Sequence, residues 1–262
     1  MDRSTLKIEI TDGCAWLTLS QPDRLNSITP ESARELRDAV SAIGRDPNVR
    51  VLVLAGEGRA FCAGGDVAQF HAHLGDAPAF LDRLVETVHE IINDLLVMPK
   101  PVIASVGGVV AGGGMALFMA ADLAIAAESA TFVMAYSGIG ASPDGGSTFF
   151  LPRLVGSRRA LELVLTNRRL SAAEALEWGL VNQVVPDGGL AGAVKELALR
   201  LAQGPTLAFS QARALVRQSF ANTAQTQLDL EKHGLIAMAG TADFREGVTA
   251  FVEKRRPSFK GR

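Results

Sequence analysis

Gly112-Gly113-Gly114 lies between an uncharged apolar stretch, residues 101–111, and a helix-like stretch, residues 115–121. Three glycines at a strand-to-helix junction leave the backbone bare, so its N–H groups can approach a ligand closely and face negative charge developing there. A second bare stretch, Phe61-Cys62-Ala63-Gly64-Gly65-Asp66, follows the apolar run at residues 51–55. Two such loops, converging, would supply the paired donors of an oxyanion hole.

The chain has 262 residues, 48% hydrophobic and 21% charged, which is enough for one large α/β domain or for a core with a smaller appendage. A formal net charge of −2 argues against a nucleic-acid binder, so an anionic ligand must be held locally. Cys14 and Cys62 fit neither a disulfide framework nor a zinc cluster. A cytoplasmic location is expected, because residues 1–12 carry five charged side chains and no apolar segment of a signal peptide. Residues 101–121 are uncharged and contain Gly108-x-x-x-Gly112, a spacing also found at transmembrane dimer faces. Their five glycines and the run Val102-Ile103-Ala104-Ser105-Val106 fit a buried strand, a turn and a buried helix better than one span, so no membrane association is expected.

Residues 6–10 and 15–19 read as a hairpin turned at Asp12-Gly13. Thr29 caps and Pro30 opens a helix with apolar face Ala33, Leu36, Val40 and Ile43, which Gly44 is expected to end. Short apolar runs at 51–55, 102–106, 123–127 and 181–185 then alternate with helical stretches, the pattern of strands buried on both faces in a right-handed strand-helix spiral. Ser171-Ala172-Ala173-Glu174 forms a capping box whose helix ends at Gly179. From about residue 190 onward only helices are expected, with breaks at Gly204-Pro205 and at Gly234, before a basic C-terminal run.

Six segments carry a resemblance: residues 21–27 (QPDRLNS), 58–66 (GRAFCAGGD), 100–104 (KPVIA), 111–114 (AGGG), 151–156 (LPRLVG) and 175–181 (ALEWGLV). Each is weak alone, but in this order they resemble the enoyl-CoA hydratase/isomerase (crotonase) superfamily over essentially the whole chain. The resemblance implies an α/β fold, a spiral of ββα units forming an acyl-CoA-binding core at residues 1–190, with a helical trimerisation region at 191–262. It implies an acyl-CoA thioester substrate, a homo-oligomer (trimer or hexamer) and no cofactor beyond the coenzyme A of the substrate. By position, the family's oxyanion donors fall on the backbone N–H groups of Gly65 and Gly113.

Hydratases of this family use two glutamates, and the matching positions here are Ala116 and Tyr136. Without a carboxylate pair, adding water across a double bond is disfavoured. The replacement is Asp144, in Pro143-Asp144-Gly145-Gly146, which on local pattern alone is a turn aspartate. The surrounding segment, with residues 226–231 and 242–251, resembles the ring-1,2-epoxyphenylacetyl-CoA isomerase branch, which implies that Asp144 is the acid/base. The 4-chlorobenzoyl-CoA dehalogenase branch also places an aspartate here, as a nucleophile, with a histidine matching His89; there a tryptophan occupies the position of Tyr136. On residue pattern His89 is otherwise an exposed helix residue. Isomerisation is the favoured reading, with the dehalogenase and a general hydratase as alternatives.

The resemblance places Arg24, Asp66 and Val67 around the adenosine-pantetheine portion, Ala63, Tyr136 and His89 among the substrate-binding residues, and Phe251 and Lys254 near the nucleotide phosphates, across a subunit boundary; Lys254 is otherwise part of a solvated tail. Phe70, Leu74, Phe80 and Leu81 point to an apolar or aromatic acyl pocket. No metal is expected: His71 and His73 lack accompanying ligands. Cys62 has no paired base and reads as a small buried filler, and Ser147 lacks a nucleophile elbow. Some relatives bind RNA through a lysine-rich helix, whereas residues 29–43 carry Arg34 and Arg37 balanced by Glu31, Glu35 and Asp38.

Overall fold

The computed structural model describes residues 4–262. Its strands are β1 (Leu6–Thr11), β2 (Cys14–Leu19), β3 (Val51–Gly56), β4 (Ala60–Cys62), β5 (Val102–Val106), β6 (Val109–Ala111), β7 (Leu123–Ala127), β8 (Thr131–Val133), β9 (Leu170–Ser171) and β10 (Gln183–Val185). Its helices are α1 (Pro30–Arg45), α2 (Val67–Ala72), α3 (Ala77–Val97), α4 (Gly113–Ala120), α5 (Ser147–Val155), α6 (Ser157–Thr166), α7 (Ala172–Glu177), α8 (Leu190–Ala202), α9 (Thr206–Ser219), α10 (Ala224–Ala239) and α11 (Ala242–Val252).

Strands β1-β2-β3-β5-β7-β10 form one sheet and β4-β6-β8-β9 a second. Successive turns of the chain each give one strand to the large sheet, the next to the small sheet, and then a helix: β3-β4-α2, β5-β6-α4, β7-β8-α5. This is the spiral of ββα units that the resemblance implies. Only β1-β2 and β8-β9 pair antiparallel. The hairpin turns at Asp12 (φ 51°) and Gly13 (φ 75°), where both residues need positive φ to match strand twist.

One face of the large sheet packs on α1, α3 and α4 in the main core, with Leu17, Leu36, Leu52, Ile91, Leu95 and Met115 among its members. The other face is closed by α8, whose Val194, Ala198 and Ala202 pack on Cys14, Val51, Val53, Ile103 and Ile125. The first helix after residue 190 is thus part of the sheet's packing. Beyond it, α9 is tied to the core by Asp122, which accepts from Arg213 and Arg217 and from the Val102 N–H. No helix among the described residues is long and apolar enough to cross a membrane.

Two expected breaks are absent. Gly44 lies inside the last turn of α1, which Asp46 caps; the buried Lys100 ammonium holds this end by donating to the carbonyls of Ile43 (2.8 Å) and Asp46 (2.7 Å). Gly234 lies within α10 and is buried; a side chain there would collide with Gln211 of α9, so the glycine permits close helix packing. The break falls at Gly240-Thr241, where Thr241 caps α11. The strand expected from residue 181 starts at 183, because Leu180 N–H still closes the α7 turn on the Ala175 carbonyl.

Candidate active site

Gly112 joins β6 to α4 at φ 50°, ψ −124°, a conformation that L side chains rarely adopt. The turn makes Gly113 the first residue of α4, where its N–H has no carbonyl one turn earlier to bond. On the facing loop, Ile28 N–H donates to the Gly64 carbonyl (2.7 Å) and Asp66 N–H to the Ile28 carbonyl (3.0 Å), which holds Gly65 between two fixed bonds. Neither the Gly65 nor the Gly113 N–H donates to another group among the described residues. The loops abut: a methyl group on Gly64 would stand 2.9 Å from the Gly113 nitrogen, and one on Gly113 3.9 Å from the Gly65 nitrogen.

Both glycines line a cavity of about 730 Å³. Phe70, Leu74, Phe80, Leu81, Leu84 and Val88 of the α2–α3 region form one wall, and Ala135, Tyr136, Ile139 and Asp144 form the other. Ala63 and Val67 lie at the glycine end. Phe70 bears on Gly65, leaving no room for a side chain there. Asp144, half-buried, supplies the one carboxyl that lines the cavity among the described residues, and the Tyr136 hydroxyl donates to its Oδ1 at 2.5 Å. Burial, and then the charge of Asp144, push the phenol well above its ordinary pKa, so Tyr136 acts as a donor across the working pH range.

The backbone around this acid is held from outside the segment. Ala135 sits at φ 63°, a left-handed conformation that costs a residue with a Cβ about 1–2 kcal/mol, and its N–H donates to Asn167 Oδ1 at 2.7 Å. Gly145 N–H donates to His89 Nε2 at 3.3 Å, which requires that nitrogen to be unprotonated. Gly145 itself, at φ 59°, lies so close to Ala116 that added Cβ there would be 2.6 Å from the alanine methyl. The loop bearing Asp144 therefore occupies the space a long acidic side chain at position 116 would need.

The structure thus brings Gly65, Gly113, Asp144, Tyr136, Ala63 and Val67 together around one cavity. His89 is exposed and reaches the site through Gly145 rather than by lining it. Asp66 caps α2 through the N–H groups of Ala68 and Gln69 and accepts from Arg24 Nη1 at 3.4 Å; this pair sits beside the glycine end and outside the cavity wall. Phe251 and Lys254, exposed at the end of α11, do not reach the cavity within one chain. Cys62 is fully buried, and desolvation pushes its thiol up to about 12, so it is a packing residue with no thiolate to offer. His73 stacks on Phe80 at 4.2 Å and pairs with Asp76 at 3.1 Å. The roles of Asn167 and of the Tyr136 hydroxyl were hidden in sequence; asparagine following a helix, where the left-handed conformation is common, is the one signal that singles out Asn167.

The model of the enoyl-CoA hydratase/isomerase family matches residues 9–262. The chain is 41% identical over 254 residues to 1,2-epoxyphenylacetyl-CoA isomerase of Escherichia coli, covering 97% of each. It is 33% identical over 256 residues to 4-chlorobenzoyl coenzyme A dehalogenase-2 of an Arthrobacter species, covering 97% of this chain and 92% of the other. Among solved structures, the enoyl-CoA hydratase of Polaromonas superposes with a TM-score of 0.93 at 34% identity, covering 97% of this chain and 99% of that one. With a family model spanning nearly its full length and relatives of this similarity, the chain belongs to the enoyl-CoA hydratase/isomerase family.

Proposed function

We propose that the protein is an acyl-CoA isomerase that moves a double bond of an enoyl-CoA or ring-derived CoA thioester. The observation that carries this reading is one carboxyl, Asp144, in the same apolar cavity as two unpartnered backbone donors, Gly65 and Gly113. The thioester oxygen accepts from the two N–H groups, so that charge arriving on it as an enolate or dienolate forms meets fixed dipoles in a mostly apolar cavity. Asp144 takes the proton from carbon and returns it elsewhere along the conjugated chain. One carboxyl suffices for such a 1,3-transfer, whereas hydration needs a second group to activate water. The alanine at 116, pressed against Gly145, supports the absence of that second group, and the 41% identical relative is named as an isomerase.

Arg24, Asp66 and Val67 are assigned to the adenosine-pantetheine portion, and Phe251 and Lys254 to the nucleotide phosphates from a neighbouring subunit of a homo-oligomer. The exposed apolar side chains Val216, Leu228, Leu235, Ile236 and Phe244 on the last three helices support such an assembly. No cofactor beyond the substrate's own coenzyme A is assigned. A second reading, in which Asp144 attacks an aryl chloride as a nucleophile, is favoured by one feature: the Tyr136 donor would orient a carboxylate for attack as well as for proton transfer.

Incubating the protein with 3-enoyl-CoA, 2-enoyl-CoA and 4-chlorobenzoyl-CoA in deuterated buffer separates the two readings. Isomerase chemistry predicts migration of the double bond with label appearing on carbon and no chloride release. Chloride release, or water addition as the main reaction, would overturn the proposal.

A further inference from the structure

Asn167 follows α6 at φ 53°, the left-handed conformation that glycine, asparagine and aspartate adopt most readily. Its place opposite the acid's segment is set by the short β8–β9 ladder. Phe132 pairs with Leu170 there, and counting three residues on from Phe132 and three back from Leu170 puts Ala135 opposite Asn167. At that point Ala135 N–H donates to Asn167 Oδ1 at 2.7 Å, Ala135 stands at φ 63°, and Tyr136 N–H closes back on the Met134 carbonyl at 2.8 Å. The other end of the Asn167 amide abuts the same turn, since a methyl group on Gly138 would be 2.9 Å from its Nδ2. Residues 137–142, just beyond Tyr136, are exposed, so core packing does not fix the path of the turn.

We propose that Asn167 is a positioning residue for the proton transfer: by holding the left-handed turn at Ala135 it aims the Tyr136 phenol at Asp144, and so leaves the second carboxyl oxygen of Asp144 facing substrate carbon. Among the described residues the Tyr136 hydroxyl is the one group that donates to the Asp144 carboxyl, and it takes Oδ1 alone. The direction of the carboxyl therefore follows the phenol, and the direction of the phenol follows the peptide between residues 135 and 136. Without the Asn167 acceptor, Ala135 gains by returning to negative φ, a backbone rotation of about 120° that carries the phenol off the acid. Asn167 touches neither the cavity nor the acid; it acts through Ala135 and Tyr136, which line the cavity. The inference rests on Asp144 as the proton carrier and deepens that reading.

Two substitutions separate this role from simple support of the fold. Asn167→Gly removes the amide, and Asn167→Asp keeps an oxygen for the Ala135 N–H; both residues accept the left-handed conformation, so α6 keeps its ending in either variant. Tyr136 is the chain's one tyrosine, so tyrosine labelled with ¹³C at Cζ gives a single signal that reports the hydrogen bonding of this phenol with no substrate present.

The test combines that signal with steady-state isomerisation of 3-enoyl-CoA by the full-length protein. In Asn167→Gly the Cζ signal is expected to move toward the position of tyrosine in water or to spread over several positions, while kcat falls about 10–10²-fold and KM stays within about twofold, because placement is lost and the apolar wall is kept. Asn167→Asp is expected to keep the wild-type signal and a kcat within about threefold of wild type. An unmoved signal in Asn167→Gly, a moved signal with unchanged kcat, or equal losses in the two variants would overturn the positioning role. Asp144→Asn distinguishes the two failures: a fully active variant removes the proton-carrier reading itself, whereas an inactive one, with the Tyr136 signal unmoved by Asn167→Gly, removes only the role of Asn167.

Discussion

Asp144→Asn is expected to lower the rate of double-bond migration by about 10²–10⁴-fold, the usual contribution of a positioned general acid/base. Asparagine keeps the size of the side chain and an oxygen that can still accept from the Tyr136 hydroxyl, so the wall of the cavity should stand. What it removes is the ability to hold a proton. Binding of a saturated acyl-CoA, followed by calorimetry, should stay close to that of the wild type, because the apolar wall and the donors of Gly65 and Gly113 are untouched. Unchanged turnover would remove Asp144 from the chemistry. Loss of binding together with turnover would assign it to holding the cavity open.

Gly64→Ala should have the next largest effect, and through the backbone alone. At φ 87° an alanine is strained, and its methyl would stand 2.8 Å from the Ala111 carbonyl and 2.9 Å from the Gly113 nitrogen, the point where the two donor loops meet. The methyl must push those loops apart, so the thioester oxygen can reach one N–H but not both. Loss of a single oxyanion donor lowers kcat by about 10²–10³-fold. Gly156→Ala is the control for strain by itself: its φ is 84°, but a Cβ there meets nothing within 4 Å. That variant should lose stability through backbone strain alone and keep its rate. Equal rates in the two variants would mean that the spacing of the loops does not set catalysis.

The large sheet was legible because parallel strands buried on both faces are written as uninterrupted apolar runs; β5 and β7 fall where residues 102–106 and 123–127 place them. The small sheet was not, since β4, β6, β8 and β9 have two or three residues each, too few for any period to register. Glycine was the ambiguous signal. Gly112 marks a turn by conformation, whereas Gly234 marks close contact between helices and Gly44 sits inside a helix whose end is held by Lys100, 54 residues downstream of Asp46. The same limit hid the acid's environment. Tyr136 and Asp144 are eight residues apart across a glycine-rich loop, and a hydrogen bond between them is a product of tertiary folding, as is the contact of Gly145 with Ala116 and His89.

The polarising role of the Gly65 and Gly113 amides is open to direct spectroscopy. An acyl-CoA carrying a ¹³C-labelled thioester carbonyl, bound to the inactive Asp144→Asn protein, reports the strength of hydrogen bonding to its oxygen through the carbonyl stretch in isotope-edited infrared difference spectra. Two converging donors predict a stretch at clearly lower frequency than for the same thioester in water, with much of that displacement lost when Gly64→Ala is added. A bound carbonyl absorbing at its aqueous frequency would show that the amides do not grip the oxygen, and would contradict the proposed catalysis at its source.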